Sequence, residues 1–371
     1  MNTTPLKIIL FGTSIISSWK SVHAPQYRGI ARGLKDLGHE VVFFEREEPQ
    51  IEQHRDFVRE EYVRVEWYRD TEHLADRWAQ EIRCADAVLI GSGVEQAAKL
   101  AEWILQTAEG VTLFYDMDPL SALLSLEQGQ CGYAIGELMP RFDMYLSSVG
   151  GELLERVKAR VRPRRAAALY LSADTETCRP LSCPKQWDLG FLGNYREGRQ
   201  DAVNALLLAP AALWQEGTFV IAGGEYPVSL QLPANLHKLP HVTPSEHSQF
   251  YNRQRFSLHA TCTALVQGGY CPSARLFEAA ACGTPLISDY WKGLENFFEL
   301  GKELLIASSR EHVLHYLRKL PEEERVAVGA RARTRVLARH TAFHRAQELS
   351  SCVSELLNEQ SRTRDAVRVH G

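Results

Sequence analysis

The stretch PSARLFEAAACGTPLISDYWKGLENFFELG, Pro272 to Gly301, decides how the chain is read. Pro272 and Ser273 suit a helix N-terminus, and Gly283 suits its stop. Pro285 then begins a short buried strand, PLISD. A helix start leaves backbone N–H groups free and carries positive charge, so it forms an anion site where it faces the sheet edge. Arg275 and Glu278 are three residues apart and share a helix face. Glu278 is flanked by Phe277, Ala279, Ala280 and Ala281, which predicts a buried carboxylate rather than a solvated one. Such a group accepts two hydrogen bonds from a vicinal diol such as a ribose. Phosphate beside ribose means nucleotide.

Working outward, strand and helix alternate along the whole chain. KIILFG (7–12), a helix from about Gln26 to Leu37, and EVVFFE (40–45) form a βαβ unit, the seed of a parallel sheet. Further strands are predicted at 63–68, 86–92, 111–116 and 144–149, with helices over Leu74–Arg83, Gln96–Ala108 and Pro119–Glu127. A second alternation follows a loop around 170–186, with strands at 168–173, 188–193, 219–224, 237–242, 256–261 and 285–289. A long helical stretch from Glu322 to about Glu359 closes the chain. The expected architecture is α/β, two Rossmann-like doubly wound domains facing across a cleft: 1–172 for an acceptor, 187–340 for a nucleotide. Residues 341–371 are expected to cross back onto the first domain as a helix with a frayed tail. Ligands of open α/β sheets bind at the carboxyl ends of the strands.

Composition narrows the function. Of 371 residues, 45% are apolar and 24% charged, with a net charge of −4. That is globular usage without the basic field that a nucleic-acid backbone requires. No apolar run approaches the roughly 18–20 residues of a spanning helix. The N-terminal segment lacks a signal-peptide layout, so a cytoplasmic location is expected. The eight cysteines include no Cys-x-x-Cys pair, which speaks for reduced thiols and against a structural zinc.

In the second half, DLGFLGNYREGRQ places Gly193, Asn194 and Tyr195 at a strand tip, with Arg196 and Arg199 entering a helix. A small residue lets a ligand approach, and a guanidinium just beyond binds phosphate bidentately. Arg199, past the turn, is preferred over Arg196. In the first half, GTSIISSWKSVHAPQYRG brings Gly12, Thr13, Ser14, Trp19 and His23 into a long loop at the sheet's carboxyl edge. It lacks the glycine spacing of a dinucleotide fingerprint. Trp19 is suited to stack on an acceptor ring, and Arg28 is suited either to a phosphate or to a place on the helix face. Asp116 and Asp118 end another strand in VTLFYDMDP. Asp-x-Asp can hold a divalent cation on a diphosphate. That sits badly with nucleotide features gathered in the second half; the better readings are that one aspartate orients His23 as a general base, or that Asp118 caps the helix after Pro119.

These segments resemble the CgeB-like family of GT-B fold glycosyltransferases. The resemblance rests on Pro272–Gly301, the Gly193 loop, the EHSQFYNRQRFSLHAT segment and the SSW…HA…YR opening. It implies a nucleoside-diphosphate sugar as co-substrate, with no cofactor and no metal. It gives Glu278 to the ribose, Gly223 to a second glycine-rich strand end, His241 and Val242 to the base, and Glu295 to the donor sugar. The acceptor, a small molecule, glycan or protein, is not implied. The retaining GT-B pattern of two glutamates separated by seven residues is broken, since Tyr270 stands at the first position. A nucleotide-sugar epimerase and a non-catalytic protein of surface or spore-coat assembly are the competing readings.

Overall fold

The computed structural model describes residues 4–19, 23–48, 53–57, 61–121, 123 and 131–370, without the side chains of 131–134 and 366–370. The chain divides into two compact units, Met1–Leu171 with Ala342–Gly371, and Ser172–Thr341.

The first unit carries a seven-stranded parallel sheet, ordered β3-β2-β1-β4-β5-β6-β7. Its strands are β1 (Lys7–Phe11), β2 (Glu40–Arg46), β3 (Arg64–Tyr68), β4 (Ala87–Gly91), β5 (Val111–Asp116), β6 (Met144–Ser147) and β7 (Ala166–Ala168). Helices α1 (Ala24–Asp36), α2 (Thr71–Arg83), α3 (Ala97–Thr107) and α4 (Gly151–Val161) provide crossovers. β1, β2, β4 and β5 are buried along nearly their whole length, with mostly apolar side chains, as strands covered on both faces must be. The expected helix over Pro119–Glu127 lies mostly outside the described residues.

The second unit carries a six-stranded parallel sheet, ordered β10-β9-β8-β11-β12-β13. Its strands are β8 (Trp187–Leu192), β9 (Phe219–Ala222), β10 (Leu236–Leu239), β11 (Gln254–His259), β12 (Leu286–Ser288) and β13 (Leu305–Ile306). Its helices include α5 (Gln200–Val203), α6 (Ala209–Leu213), α7 (His247–Asn252), α8 (Thr263–Gly268), α9 (Ala274–Ala281), α10 (Arg310–Lys319) and α11 (Glu322–Arg339). The last helix, α12 (Ala342–His370), belongs to the first unit. Its Ala346, Leu349, Val353 and Leu356 join that unit's core, and Ser350 meets His39 Nε2 at 2.7 Å.

Two expectations are corrected. Residues 168–173 do not form a strand: β7 ends at Ala168, and the Leu169 carbonyl accepts from Tyr115 Oη at 2.9 Å. The long C-terminal helix is broken at His340 and Thr341. There the His340 carbonyl accepts from Ala173 N at 3.1 Å, and Thr341 bridges Ala173, which takes the backbone out of the helix.

Each sheet reverses its strand order once, between β1 and β4 and between β8 and β11. Such switch points leave a crevice at the carboxyl ends where side chains can surround a ligand.

Candidate functional site

At the second unit's switch point the loops after β8 and β9 interlock. Gly193 N donates to the Ala222 carbonyl at 2.8 Å, Gly224 N to Asn194 Oδ1 at 3.1 Å, and Tyr195 N to the Gly224 carbonyl at 2.9 Å. Tyr226 Oη donates to the Gly193 carbonyl at 2.7 Å, and the Tyr195 ring packs edge-on against Tyr226. Gly223 sits at φ +141°, where a Cβ would come within 2.3 Å of the Gly193 carbonyl oxygen. The two loops can approach this closely only because residue 223 is glycine.

Two arginines flank these tips. Arg199 lies over the Phe191 ring, 5.7 Å from its centroid, and Arg275 stands in the first turn of α9. Neither forms an ion pair among the described residues, and the Nε of each is buried without a partner. Burial lowers the Arg199 pKa, opposed by the Cys262 thiol and reinforced by Arg275 and Arg196. Two neighbouring cations with unfilled Nε donors, of which Arg275 alone feels a carboxylate, that of Glu278, constitute a site for an anion. Arg196 is exposed, as the sequence suggests.

Helix α9 is capped by Ser273, whose Oγ accepts from Arg275 N at 3.3 Å. Glu278 is buried, 6% exposed. Its Oε2 accepts from Tyr251 Oη at 3.3 Å and pairs with His247 Nδ1 at 3.2 Å, both on α7. Burial pushes its pKa up, but His247, Arg275 and Tyr251 together hold it below the usual carboxylate range. In this structure the Glu278 carboxylate is therefore ionised and already partnered.

The remaining sequence candidates of this unit lie further out. His241 is exposed and Val242 buried, both just beyond β10. Tyr270 adopts the left-handed backbone at φ +50°, its N–H donating to the Lys292 carbonyl at 2.8 Å. Its ring fills the space beside Gly293, where a Cβ would meet it at 2.4 Å. Glu295 is exposed in the short helical turn Leu294–Asn296.

Two residues without a sequence signal complete the edge. His259 ends β11 and pairs in register with Ser288 on β12. Asp289 follows β12; its Oδ2 accepts from Thr261 N at 3.0 Å and its Oδ1 from Thr261 Oγ1 at 2.8 Å. Burial raises the Asp289 pKa against these bonds. Burial, with Arg199 and Arg275 adding to it, pushes His259 down to about 3. Its imidazole is neutral at physiological pH.

In the first unit, most of the β1–α1 loop serves the fold. Ser14 Oγ donates to Glu45 Oε1 at 2.6 Å, and Ile15 N and Ile16 N donate to Glu45 Oε2 at 2.8 and 3.2 Å. Glu45, which the sequence does not single out, is fully buried and anchors the loop. Gly12 is a packing position: a Cβ there would fall 2.6 Å from both Tyr27 and Phe43 ring atoms. Thr13 lies against Gly93, and the Trp19 ring is already stacked on His54 at 4.0 Å. Arg28 does not reach outward; its Nε donates to the Ile15 carbonyl at 2.7 Å and its head pairs with Asp56.

Asp116 is fully buried, its Oδ2 accepting from Tyr145 Oη at 2.7 Å and its Oδ1 from Asp118 N at 3.1 Å. Asp118 is half-buried and accepts from Ser121 Oγ at 2.7 Å. His23, half-buried at the start of α1, has its pKa lowered by burial, with the Asp118 charge opposing. Among the described residues no hydrogen bond joins His23 to Asp118; their coupling is electrostatic.

Residues 196–351 match the model of a family described as "Glycosyl transferase-like". No curated protein sequence matches the chain. Among solved structures, a sucrose-phosphate synthase from Thermosynechococcus elongatus superposes with a TM-score of 0.68 at 12% identity, over 95% of this chain and all of that one. The Anabaena protein HepE in complex with UDP and glucose also gives 0.68 at 12%, covering 94% and 100%. An alpha-glucosyltransferase in complex with UDP gives the same TM-score, identity and coverage. The fold is that of the GT-B glycosyltransferases, two Rossmann-like domains.

Proposed function

We propose that this chain is a glycosyltransferase that moves a sugar from a nucleoside-diphosphate sugar to an acceptor hydroxyl or amine without a metal ion. The carrying observation is the pair Arg199 and Arg275, two adjacent guanidiniums with unfilled Nε donors and no ion pair among the described residues. Placed at a switch point and beside a helix N-terminus, they suit a diphosphate. The glycosyltransferase-like family match over this unit, and structural neighbours solved in complex with UDP and UDP-glucose, support the same reading.

In this reading the diphosphate is the leaving group, and its developing charge is met by Arg199, Arg275 and the α9 N-terminus. Fixed cations supply what a divalent ion would otherwise supply. Glu278 takes the ribose hydroxyls, sharing its lone pairs with His247 and Tyr251. Gly193, Asn194, Tyr195 and Gly223 shape the floor, while His241 and Val242 lie toward the base and Tyr270 and Glu295 toward the sugar. His23, its charge tuned by Asp118, is the candidate base for the acceptor. The finer assignment to a CgeB-like enzyme rests on the sequence segments quoted above.

A thermal-shift screen against nucleotide sugars tests the proposal. A ligand at 100 times its dissociation constant stabilises by about 2.7 kcal/mol. Absence of any shift with uridine, guanosine and thymidine diphosphate sugars would sink it. Product analysis without an acceptor then separates transfer from epimerisation.

A further inference from the structure

The hydroxyl network around His259 fixes which of its nitrogens carries the proton. Ser288 Oγ lies 2.8 Å from the Asp289 backbone carbonyl, an atom that can only accept. A hydroxyl owns one hydrogen, so at that distance Ser288 spends it on the carbonyl. Toward His259 Nδ1, 3.2 Å away, Ser288 then offers only a lone pair. Thr261 Oγ1 repeats the pattern, 2.8 Å from Asp289 Oδ1 and 3.4 Å from His259 Nδ1. Nδ1 is therefore the protonated nitrogen. In a neutral ring this leaves Nε2 with a bare lone pair, and Nε2 has no partner among the described residues.

We propose that His259 is a sugar-positioning residue, its Nε2 accepting a hydrogen bond from a hydroxyl of the transferred sugar beside Arg199 and Arg275. This assignment rests on the nucleotide-sugar reading above. A lone pair has no favourable contact with a phosphate oxygen, so the diphosphate is not its partner. The ribose has Glu278. A sugar hydroxyl next to the diphosphate is the remaining donor, and the neighbouring arginines disfavour a second positive charge on the ring. Strands β11 and β12 hold the imidazole rigid, so the acceptor is in place before the ligand arrives.

The experiment pairs calorimetry with NMR. His259→Asn keeps an amide donor where Nδ1 stands and removes Nε2. Binding of UDP and UDP-glucose, with the equivalent guanosine and thymidine pairs, is compared with wild type. The free nucleotide should bind within about twofold of wild type, while the nucleotide sugar weakens about tenfold, one hydrogen bond's worth. A nucleotide sugar that loses less than twofold overturns the assignment while leaving the donor-site reading intact. A wild-type protein that binds none of these ligands overturns the reading and the assignment together. In histidine-labelled wild-type protein, long-range proton–nitrogen spectra should show an unprotonated Nε2 for His259. A protonated Nε2 overturns the assignment even where the variant does not fold.

Discussion

The guanidinium of Arg199 lies directly against Gly193: a Cβ built on that glycine would come within 2.6 Å of Nη1. The strand tip is therefore bare for the arginine as well as for a ligand. Gly193→Ala should displace the guanidinium and weaken nucleotide binding. It should also cost stability, because the same Cβ would come within 2.9 Å of the buried Phe191 ring, which cannot swing away as the arginine can. Arg199→Ala should lower turnover on the order of a hundredfold or more, the effect of losing one well-aimed charge donor. Steady-state kinetics on both variants checks this, and an unchanged rate in Arg199→Ala removes it from the site.

Arg275 invites the opposite behaviour in stability. It shares its surroundings with Arg199 and has an unsatisfied buried Nε, so in the folded protein its repulsion with Arg199 works against its attraction to the Glu278 carboxylate. Because the two effects oppose, Arg275→Met should leave the ligand-free protein within about 1 kcal/mol of wild type, while ligand-induced stabilisation collapses. Melting curves with and without nucleotide sugar measure both. A large loss of ligand-free stability would mean that Arg275 is structural.

Much of this edge was legible in the sequence, and the reasons differ by residue. Glu278 announced its burial through Phe277 and three alanines. Arg199 was separable from Arg196 because a residue past the turn faces inward. The strands were readable because buried parallel strands are apolar runs between helical periods. His259 and Asp289 were not, since their meaning comes from the β11–β12 register, which places His259 beside Ser288. No linear spacing encodes that pairing. Ser14 and Gly12 were misleading for the converse reason: small residues at a strand tip look like ligand contacts, but Glu45, Tyr27 and Phe43 occupy the space around them.

Glu278 should make the stability of the second unit depend on acid. Its folded pKa is depressed, so between the unfolded carboxylate value and that lower pKa the unfolded chain binds the proton more readily. The stabilisation is present above the unfolded value and fades as pH falls through the folded one. Glu278→Gln should cost about 2 kcal/mol at neutral pH, in line with charged hydrogen bonds to His247 and Tyr251. The deficit should shrink on acidification below about pH 4.5. Denaturant titrations at several pH values test this; a deficit that does not vary with pH would assign the loss to packing.

The His23 reading predicts a pH–rate profile with a defined sign. Burial lowers the His23 pKa below its ordinary value and the Asp118 charge pulls it back up. A base must be unprotonated, so the rate should rise with pH through a midpoint below about 6.5 and level off by neutrality. Asp118→Asn removes the opposing charge, so the midpoint should move to still lower pH. His23→Ala should lower the plateau by about two to four orders of magnitude and abolish that limb. A profile whose acid limb survives His23→Ala would place the base on another residue. An unmoved midpoint in Asp118→Asn would confine Asp118 to its bond with Ser121.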